Sequence, residues 1–200
     1  MFTGIVRAIG QVVQLRGEDG ARRLTVDAGR LALPGAHIGD SIALSGVCLT
    51  IVALSGSRFD VELSRETLAR TRLGRLEAGS KVNLEPAVTA TEALGGHLVT
   101  GHVDGVAIVR QVVEGSGTLA ATLEAPPELA RYVASQGSVT LDGVSLTVTR
   151  VAGVAFGVEL VPHTRAVTTL GSLAAGQALN LEVDLIARYL ERLLEARGGG

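Results

Sequence analysis

The stretch Leu44-Ser45-Gly46-Val47-Cys48-Leu49-Thr50-Ile51 returns 97 positions later as Leu141-Asp142-Gly143-Val144-Ser145-Leu146-Thr147-Val148. The same offset persists well beyond this stretch, and between positions 41 and 85 about half of the residues match their partners without a gap. A constant register over the length of a domain indicates duplication, because a shared fold requires similar residues wherever the backbone geometry is the same. The sequence therefore predicts two copies of one module, followed by a segment that only the second copy has.

Each copy has the pattern of a small barrel of short strands. In the first copy, β-rich runs separated by turn signals occupy positions 5–15, 22–26, 41–44, 48–54, 58–63 and 81–85. A hairpin-type turn is expected at 17–20 and one helical turn at 31–33, and Ser64 is expected to cap a short helix ending near Arg70. Gly10 marks a bend or bulge in the first strand. Six short strands at close spacing favour a closed barrel, so we expect an all-β chain of two tandem six-stranded antiparallel β-barrels, in domains 1–97 and 98–183.

Residues 184–200 have no counterpart after the first copy, and they carry a helical pattern. Between Asp184 and Ala196 charged residues alternate with apolar ones at helical spacing, the apolar positions being Leu185, Ile186, Tyr189, Leu190, Leu193 and Leu194. A helix only about 20 Å long is marginal alone, so its apolar side must be buried. Two interpretations remain open, which are packing on the chain's own barrels and packing on the same helix of other subunits.

Composition excludes several classes of protein. A formal charge of −2 without a basic cluster, and an aromatic content of 2%, argue against a nucleic-acid partner. Cys48 is the single cysteine, so no internal disulfide can form, and the sequence shows neither a secretory signal nor a membrane span. We expect a soluble cytoplasmic protein without a membrane partner. His97 and His102 lack a third ligand at useful spacing, which makes a metal site improbable.

The two copies differ in chemistry at a few equivalent positions. Cys48 corresponds to Ser145, Ser45 to Asp142, Ile5 to His102, and Ala87 to Asp184. Two matching cavities with unequal acid and base groups suit a protein that binds two copies of one small molecule and makes them react unequally. Structural explanations exist beside this one. Duplication can serve stability alone, Cys48 can be a small buried hydrophobe, His97 and His102 can be hydrogen-bonded loop histidines, and Asp184 can cap the last helix.

Several motifs together resemble the riboflavin synthase alpha chain family. They are Met1-Phe2-Thr3-Gly4-Ile5-Val6, Gly46-Val47-Cys48-Leu49-Thr50, Gly95-Gly96-His97, Gly101-His102-Val103-Asp104-Gly105, Asp142-Gly143-Val144-Ser145-Leu146-Thr147 and Pro162-His163-Thr164. The resemblance spans essentially the whole chain in the family's order and spacing. It implies a homotrimer held by the C-terminal helices of residues 184–200, and it raises lumazine synthase as a further partner.

The resemblance also implies a reaction. One molecule of 6,7-dimethyl-8-ribityllumazine transfers a four-carbon unit to a second one, which gives 5-amino-6-(D-ribitylamino)uracil and riboflavin in the last step of riboflavin biosynthesis. No metal, nucleotide or redox cofactor takes part. In the family the productive site lies between the first barrel of one subunit and the second barrel of its neighbour, so that each barrel binds one lumazine.

The resemblance assigns site residues by motif. The candidates for catalysis are His102, Cys48, Ser145, Thr147, Asp184, Phe2, Thr3 and His97, with His102, Ser145 and Thr147 grouped around removal of a proton from the acidic C7 methyl group and Phe2-Thr3 shaping the cleft. The first barrel's binding site would comprise Gly4, Ile5, Val6, Cys48, Leu49, Thr50, Glu62, Leu63, Ser64, Arg65, Glu66 and Thr67. The second barrel's would comprise Gly101, His102, Val103, Gln136, Ser145, Leu146, Thr147, Leu160, Val161, Pro162, His163, Thr164 and Arg165.

Two positions depart from the family, and one other class of function remains. Gln136 stands where lysine is usual and Ser45 where asparagine is usual, which puts the affinity for ligand in question. The alternative function is a lumazine- or flavin-binding antenna protein without catalysis. In such relatives the motifs of the second barrel are degraded, whereas His102, Ser145, Thr147 and Asp184 are all present here. A flavin reductase barrel would need an Arg-x-Tyr-Ser motif, which the sequence lacks.

Overall fold

Two closed six-stranded antiparallel barrels and a C-terminal helix make up the computed structural model, which describes residues 1–17, 20–29, 31 and 35–198. The first barrel consists of β1 (Ala8–Arg16), β2 (Arg22–Asp27), β3 (Ser41–Leu44), β4 (Val47–Ser55), β5 (Arg58–Leu63) and β6 (Lys81–Pro86). The second consists of β7 (Gly105–Glu114), β8 (Leu119–Glu124), β9 (Ser138–Leu141), β10 (Val144–Ala152), β11 (Ala155–Leu160) and β12 (Ala178–Val183). The predicted fold class is confirmed.

The two barrels share one topology. The first is ordered β1-β2-β5-β4-β3-β6 with β6 pairing back to β1, and the second has the same cyclic order in its equivalent strands. The bulge expected at Gly10 lies instead between Val12 and Gln14, and β7 repeats it between Val109 and Gln111. Glycine suits position 10 because of close packing, since a Cβ there would lie 2.6 Å from the Cδ1 atom of Leu84.

Each barrel has its own apolar core, and a short segment of chain crosses between the two. Phe59 and Phe156 occupy equivalent core positions and are each 1% exposed. Val6, which precedes the first barrel's strands, is buried in the core of the second barrel, and Val103 packs against the core of the first. The segment that leads into each barrel therefore lies against the other barrel.

Two short helices follow equivalent strands, α1 (Arg65–Arg70) after β5 and α2 (Pro162–Val167) after β11. Ser64 caps α1 as predicted, because its hydroxyl accepts a hydrogen bond from the amide of Thr67. In α2 the equivalent position holds Val161, which cannot cap, and Pro162 begins the helix. The turn expected at 17–20 and the helical turn expected at 31–33 fall largely on residues outside the described ranges.

The C-terminal helix α3 (Leu185–Gly198) contacts its own chain through polar residues. Glu191 pairs with Arg131 at 2.7 Å, and Arg188 pairs with Asp104 at 2.6 Å. Five large apolar residues of this helix are between 55 and 67% exposed, namely Ile186, Tyr189, Leu190, Leu193 and Leu194. Of the two interpretations of the apolar side, packing on the chain's own barrels is therefore not found for these five residues. Within the described ranges, no helix is both long and apolar enough to span a membrane.

Candidate active site

The first candidate site is a cavity of about 210 Å³ at the mouth of the first barrel. Val47 and Cys48 of β4 form one wall, and Glu66, Thr67, Arg70 and Thr71, in and after α1, form another. The third wall is Gly101-His102-Val103 from the segment leading into the second barrel. The amide of Cys48 donates to the carbonyl of Gly101 at 2.8 Å, which holds the backbone next to His102 against β4, so that His102 and the half-buried Cys48 line one cavity.

The second candidate site surrounds Ser145, the counterpart of Cys48. The amide of Ser145 donates to the carbonyl of Gly4 at 2.8 Å, as the amide of Cys48 does to Gly101. His97 lies between two hydroxyl groups, with Nδ1 2.7 Å from Oγ of Ser145 and Nε2 3.2 Å from Oγ1 of Thr140. Gly96 permits this approach, since a Cβ there would lie 2.1 Å from the carbonyl oxygen of Thr3. Ser145 and His97 thus form a hydrogen-bonded pair.

Burial lowers the pKa of His97 from its usual value of 6.5, and the negative charges of Asp184 and Glu182 act in the opposite direction. The imidazole is therefore neutral near pH 7, so that one ring nitrogen can accept a proton. A neutral imidazole within hydrogen-bond distance of a hydroxyl is the arrangement that lets histidine act as a base toward that hydroxyl.

The structure corrects how the site residues were grouped. Gly4, Ile5 and Val6 were assigned to the first barrel and Gly101 to Val103 to the second, but each segment lies against the opposite barrel. His102 accordingly lies with Cys48, and within one chain it is His97 that contacts Ser145. We call Gly4-Ile5-Val6 and Gly101-His102-Val103 the exchanged segments, since each packs on the barrel that it does not lead into. The physical reason is a backbone hydrogen bond, which Gly4 accepts from Ser145 of β10 and Gly101 accepts from Cys48 of β4.

A buried glutamate in each barrel holds the exchanged segments in place. Glu85 accepts hydrogen bonds from the amides of Thr3 and Gly4, at 2.7 and 3.1 Å, and from the hydroxyl of Thr3 at 2.8 Å. Glu182 makes the same three contacts with Thr100 and Gly101. The two glutamates end equivalent stretches of the repeat, Asn83-Leu84-Glu85 and Asn180-Leu181-Glu182, and each fixes the backbone beside one candidate site.

Phe2 and Thr3 are placed differently from the predicted cleft-shaping role. Phe2 is fully buried and forms a β-bridge with Val99. Thr3 is 3% exposed, and its hydroxyl is held by Glu85. The hydroxyl of Thr3 also accepts a hydrogen bond from the amide of Ile5 at 3.2 Å, which ties Thr3 to the segment that packs on the second barrel.

The remaining predicted binding residues divide by exposure. Thr50 and Thr147 are exposed, as are Glu62, Ser64, Arg65, Val161, Pro162 and His163. Thr67, Thr164 and Arg165 are half-buried on α1 and α2, and Arg165 pairs with Glu114 at 2.8 Å. The side chains of Leu49, Leu63, Leu146 and Leu160 belong to the barrel cores, which leaves only their backbone groups for a ligand.

Gln136 and Ser45 make no hydrogen bond with these side chains, and Asp184 acts on the second site only through the effect of its charge on the pKa of His97. Asp184 caps α3, with Oδ1 accepting from the amide of Ile186 at 2.9 Å. Gln136 is exposed in a turn with φ of 64°, and its backbone N–H donates to the carbonyl of Val148 at 2.8 Å. Ser45 is fully buried between the barrels. Its departure from the family pattern therefore concerns contact between the barrels.

Sequence reasoning missed the contribution of Arg70, Thr71 and Val47 to the first cavity and of Thr140 to the second site. The predicted helix from Ser64 to about Arg70 could have indicated that Arg70 and Thr71 lie beside the first site. No feature of the sequence indicated that Thr140 lies beside the second. No group of three or more His, Cys, Asp or Glu residues that could hold a metal ion occurs in the described part of the chain.

Comparison with known proteins identifies the class to which this double barrel belongs. The family model described as Lumazine binding domain matches the chain twice, at residues 3–87 and 100–184. These ranges begin at Thr3 and Thr100 and include the exchanged segments.

Full-length relatives specify the family further. Riboflavin synthase of Mycobacterium tuberculosis H37Rv is 44% identical over 202 residues, covering 99% of this chain and 100% of that protein. Riboflavin synthase of Photobacterium phosphoreum is 42% identical over 194 residues, covering 97% and 89%. The chain belongs to the riboflavin synthase family. The crystal structure of LumP complexed with 6,7-dimethyl-8-(1'-D-ribityl) lumazine is also similar, with a TM-score of 0.83 and 26% identity over 92% of this chain and 99% of that one.

Proposed function

We propose that this chain is a transferase that converts two molecules of 6,7-dimethyl-8-ribityllumazine into riboflavin and 5-amino-6-(D-ribitylamino)uracil. The observation that carries the proposal is the unequal equipment of two equivalent sites. One site has Cys48 with His102, and the other has Ser145 hydrogen-bonded to His97. A dismutation needs such inequality, because one lumazine must donate the four-carbon unit that the other accepts.

Proton transfer is the chemistry that these side chains supply. A base must remove a proton from the C7 methyl group of one lumazine, and the resulting carbanion is delocalised into the ring. Neutral His97, in contact with Ser145, is suited to accept a proton at the second site. At the first site the Cys48 thiol and the His102 imidazole line one cavity and can act as nucleophile and proton carrier. Thr50 and Thr147 are exposed on β4 and β10, where their hydroxyls can bind the ligand.

The active assembly is proposed to be a homotrimer in which α3 of each subunit packs on its neighbours. The exposed Ile186, Tyr189, Leu190, Leu193 and Leu194 support this assembly, because a patch of large apolar residues on one helix is typical of an interface. In such a trimer the first barrel of one subunit would face the second barrel of the next, and each reaction centre would hold two lumazines. We further propose a cytoplasmic location, with lumazine synthase as a partner that supplies the substrate.

The test is to incubate the purified protein with 6,7-dimethyl-8-ribityllumazine alone and to follow riboflavin by absorbance and fluorescence. We expect riboflavin without added cofactor. The variants Cys48→Ser and His102→Ala are expected to form riboflavin more slowly than the wild type. Loss of an acid-base group should lower the rate about 10²-fold. His37→Gln is the matched control, since His37 is exposed and outside both sites.

A lumazine that binds tightly and stays unchanged would refute the proposal. The chain would then be a binding protein of the antenna kind, which the likeness to LumP makes the second candidate. Two outcomes separate the functions directly, since an enzyme yields two new products from one substrate and a binding protein yields none.

A further inference from the structure

The contact between the two barrels is built from reciprocal pairs of residues. The side-chain amide of Asn83 donates to the carbonyl of Asp142 at 2.9 Å, and that of Asn180 donates to the carbonyl of Ser45 at 2.8 Å. Their Oδ1 atoms accept from the amides of Thr169 and Arg72, each at 2.8 Å. Equivalent residues thus make equivalent bonds on the two sides of this contact.

One pair of positions breaks the equivalence. On one side the guanidinium of Arg72 binds the carboxylate of Asp142, with Nε 2.9 Å from both carboxylate oxygens and Nη2 2.5 Å from Oδ2. On the other side the equivalent residues are Thr169 and Ser45, which carry no charge. The hydroxyl of Thr169 is buried without a hydrogen-bond partner among the described residues. At these two equivalent pairs of positions, an ion pair therefore joins the barrels on the Arg72 and Asp142 side and not on the Thr169 and Ser45 side.

Burial makes this ion pair different from the chain's surface pairs. The side chain of Asp142 is 0% exposed and that of Arg72 is 16% exposed. Asp142 also accepts from the amide of Asn180 at 2.8 Å, and Nη2 of Arg72 reaches Oγ of Ser45 at 3.3 Å. A buried bidentate pair with its remaining groups bonded has a fixed geometry, whereas an exposed pair exchanges freely with water.

The pair connects the elements that carry the two candidate sites. Arg72 follows Thr71, which lines the cavity beside Cys48. Asp142 lies in the turn between β9 and β10, and β10 carries Ser145. Movement of either partner would therefore shift a wall of the first site relative to the second site of the same chain.

We propose that Arg72 is a positioning residue for the reaction, and that its ion pair with Asp142 sets the orientation of the first barrel relative to the second. This inference rests on the proposed function. If each reaction centre lies between barrels of neighbouring subunits, the angle between the two barrels of one chain sets the distance between the two lumazines in every centre. Arg72 then affects the rate of the reaction between bound lumazines more than the binding of either one, because each pocket stays intact.

The test replaces Arg72 and Asp142 by the residue types found at the equivalent positions, Thr169 and Ser45. The double variant Arg72→Thr with Asp142→Ser replaces the ion pair by the residues of the Thr169 and Ser45 side, leaves no unpaired charge, and is therefore expected to fold. We expect kcat to fall about tenfold with KM nearly unchanged. Amide hydrogen exchange is expected to quicken in α1 and in the turn between β9 and β10. The single variant Arg72→Thr should be less stable than the double variant, since it leaves a buried carboxylate unpaired.

The matched control is Arg23→Thr with Asp60→Ser, which removes a partly exposed ion pair of 2.8 Å from the first barrel. A double variant at Arg72 and Asp142 whose kcat equals that of this control overturns the inference, whatever its exchange rates. Equal loss of kcat and rise of KM would also overturn it, because the pockets themselves would then have changed. A wild type that forms no riboflavin would instead refute the proposed function, and the exchange rates alone would then decide whether Arg72 holds the two segments together.

Discussion

His97 is the residue whose surroundings most change its chemistry. Its ring lies between Ser145 and Thr140, and burial favours the neutral form. The lowered pKa means that the unfolded chain binds a proton more readily than the folded one between the folded value and 6.5. Stability therefore rises with pH through this window and is lost as the pH falls below about 6.5.

We predict that His97→Gln weakens this pH dependence. Between pH 7.5 and pH 5 the wild type should lose more free energy of unfolding than the variant, because glutamine has no proton to bind. Urea unfolding at a series of pH values measures the difference. His37→Gln serves as the control, since His37 is exposed and should leave the wild-type slope in place. Parallel curves for wild type and His97→Gln would show that another group dominates the acid side.

At the scale of elements, helix α3 contacts the first site through its polar side and carries the proposed subunit interface on its apolar side. Its polar side holds Arg188, whose guanidinium donates to the carbonyl of His102 at 2.8 Å and to Asp104 at 2.6 Å. Its apolar side is exposed. A helix that is stabilised only in the trimer would thereby fix the backbone of His102 only in the trimer.

We predict that Arg188→Met reduces kcat about tenfold without changing the proposed trimer, because the carbonyl of His102 loses its donor. Steady-state kinetics and size-exclusion chromatography with light scattering measure the two quantities. The control is Arg192→Met. Arg192 lies on the same helix with its side chain 80% exposed, and among the described residues its one salt bridge is with Glu195. Equal kcat values in the two variants would exclude a role of Arg188 in holding His102.

The apolar side of α3 gives a separate prediction. Leu193→Glu should dissociate the proposed trimer, since a charge would be buried among apolar residues of neighbouring helices. Light scattering at several concentrations should then give the mass of one chain. Ile38→Glu is matched in exposure, at 68% against 65% for Leu193, but lies outside the helix, and it should leave the assembly unchanged. A trimer that survives Leu193→Glu would place the interface elsewhere.

At the scale of the whole molecule, the two barrels meet where the backbones of Gly46 and Gly143 touch. A Cβ at either glycine would lie 2.7 Å from the backbone nitrogen of the other, and both have positive φ, at 81° and 79°. A side chain at either position would force the two barrels apart.

We predict that Gly46→Ala and Gly143→Ala destabilise far more than Gly56→Ala. Gly56 has a φ of 60° and open space around it, so that alanine there meets only the backbone cost of about 1–2 kcal/mol. The two glycines at the contact should add about 1–3 kcal/mol for overpacking. Thermal unfolding of the three variants separates the two costs. Equal losses in all three would mean that the barrels can move apart without penalty.

The sequence alone determined the fold of each barrel and predicted most of the candidate site residues. The repeat at 97 positions, the turn glycines and the cap at Ser64 are local or periodic signals, and such signals specify strands, turns and helix ends directly. The motifs shared with the riboflavin synthase family pointed to Cys48, Ser145, His97 and His102 from the sequence alone.

The tertiary structure decided which of these residues meet. Gly4 lies beside Ser145 and Gly101 beside Cys48, because the segment leading into each barrel packs on the other, and no local pattern records that exchange. Arg72 and Asp142 likewise come together only when the two barrels dock. Contacts between positions distant in the chain depend on how complete barrels fit together. The sequence therefore supplied part of the residues of the two candidate sites, and the docking of the barrels supplied the rest and their pairing.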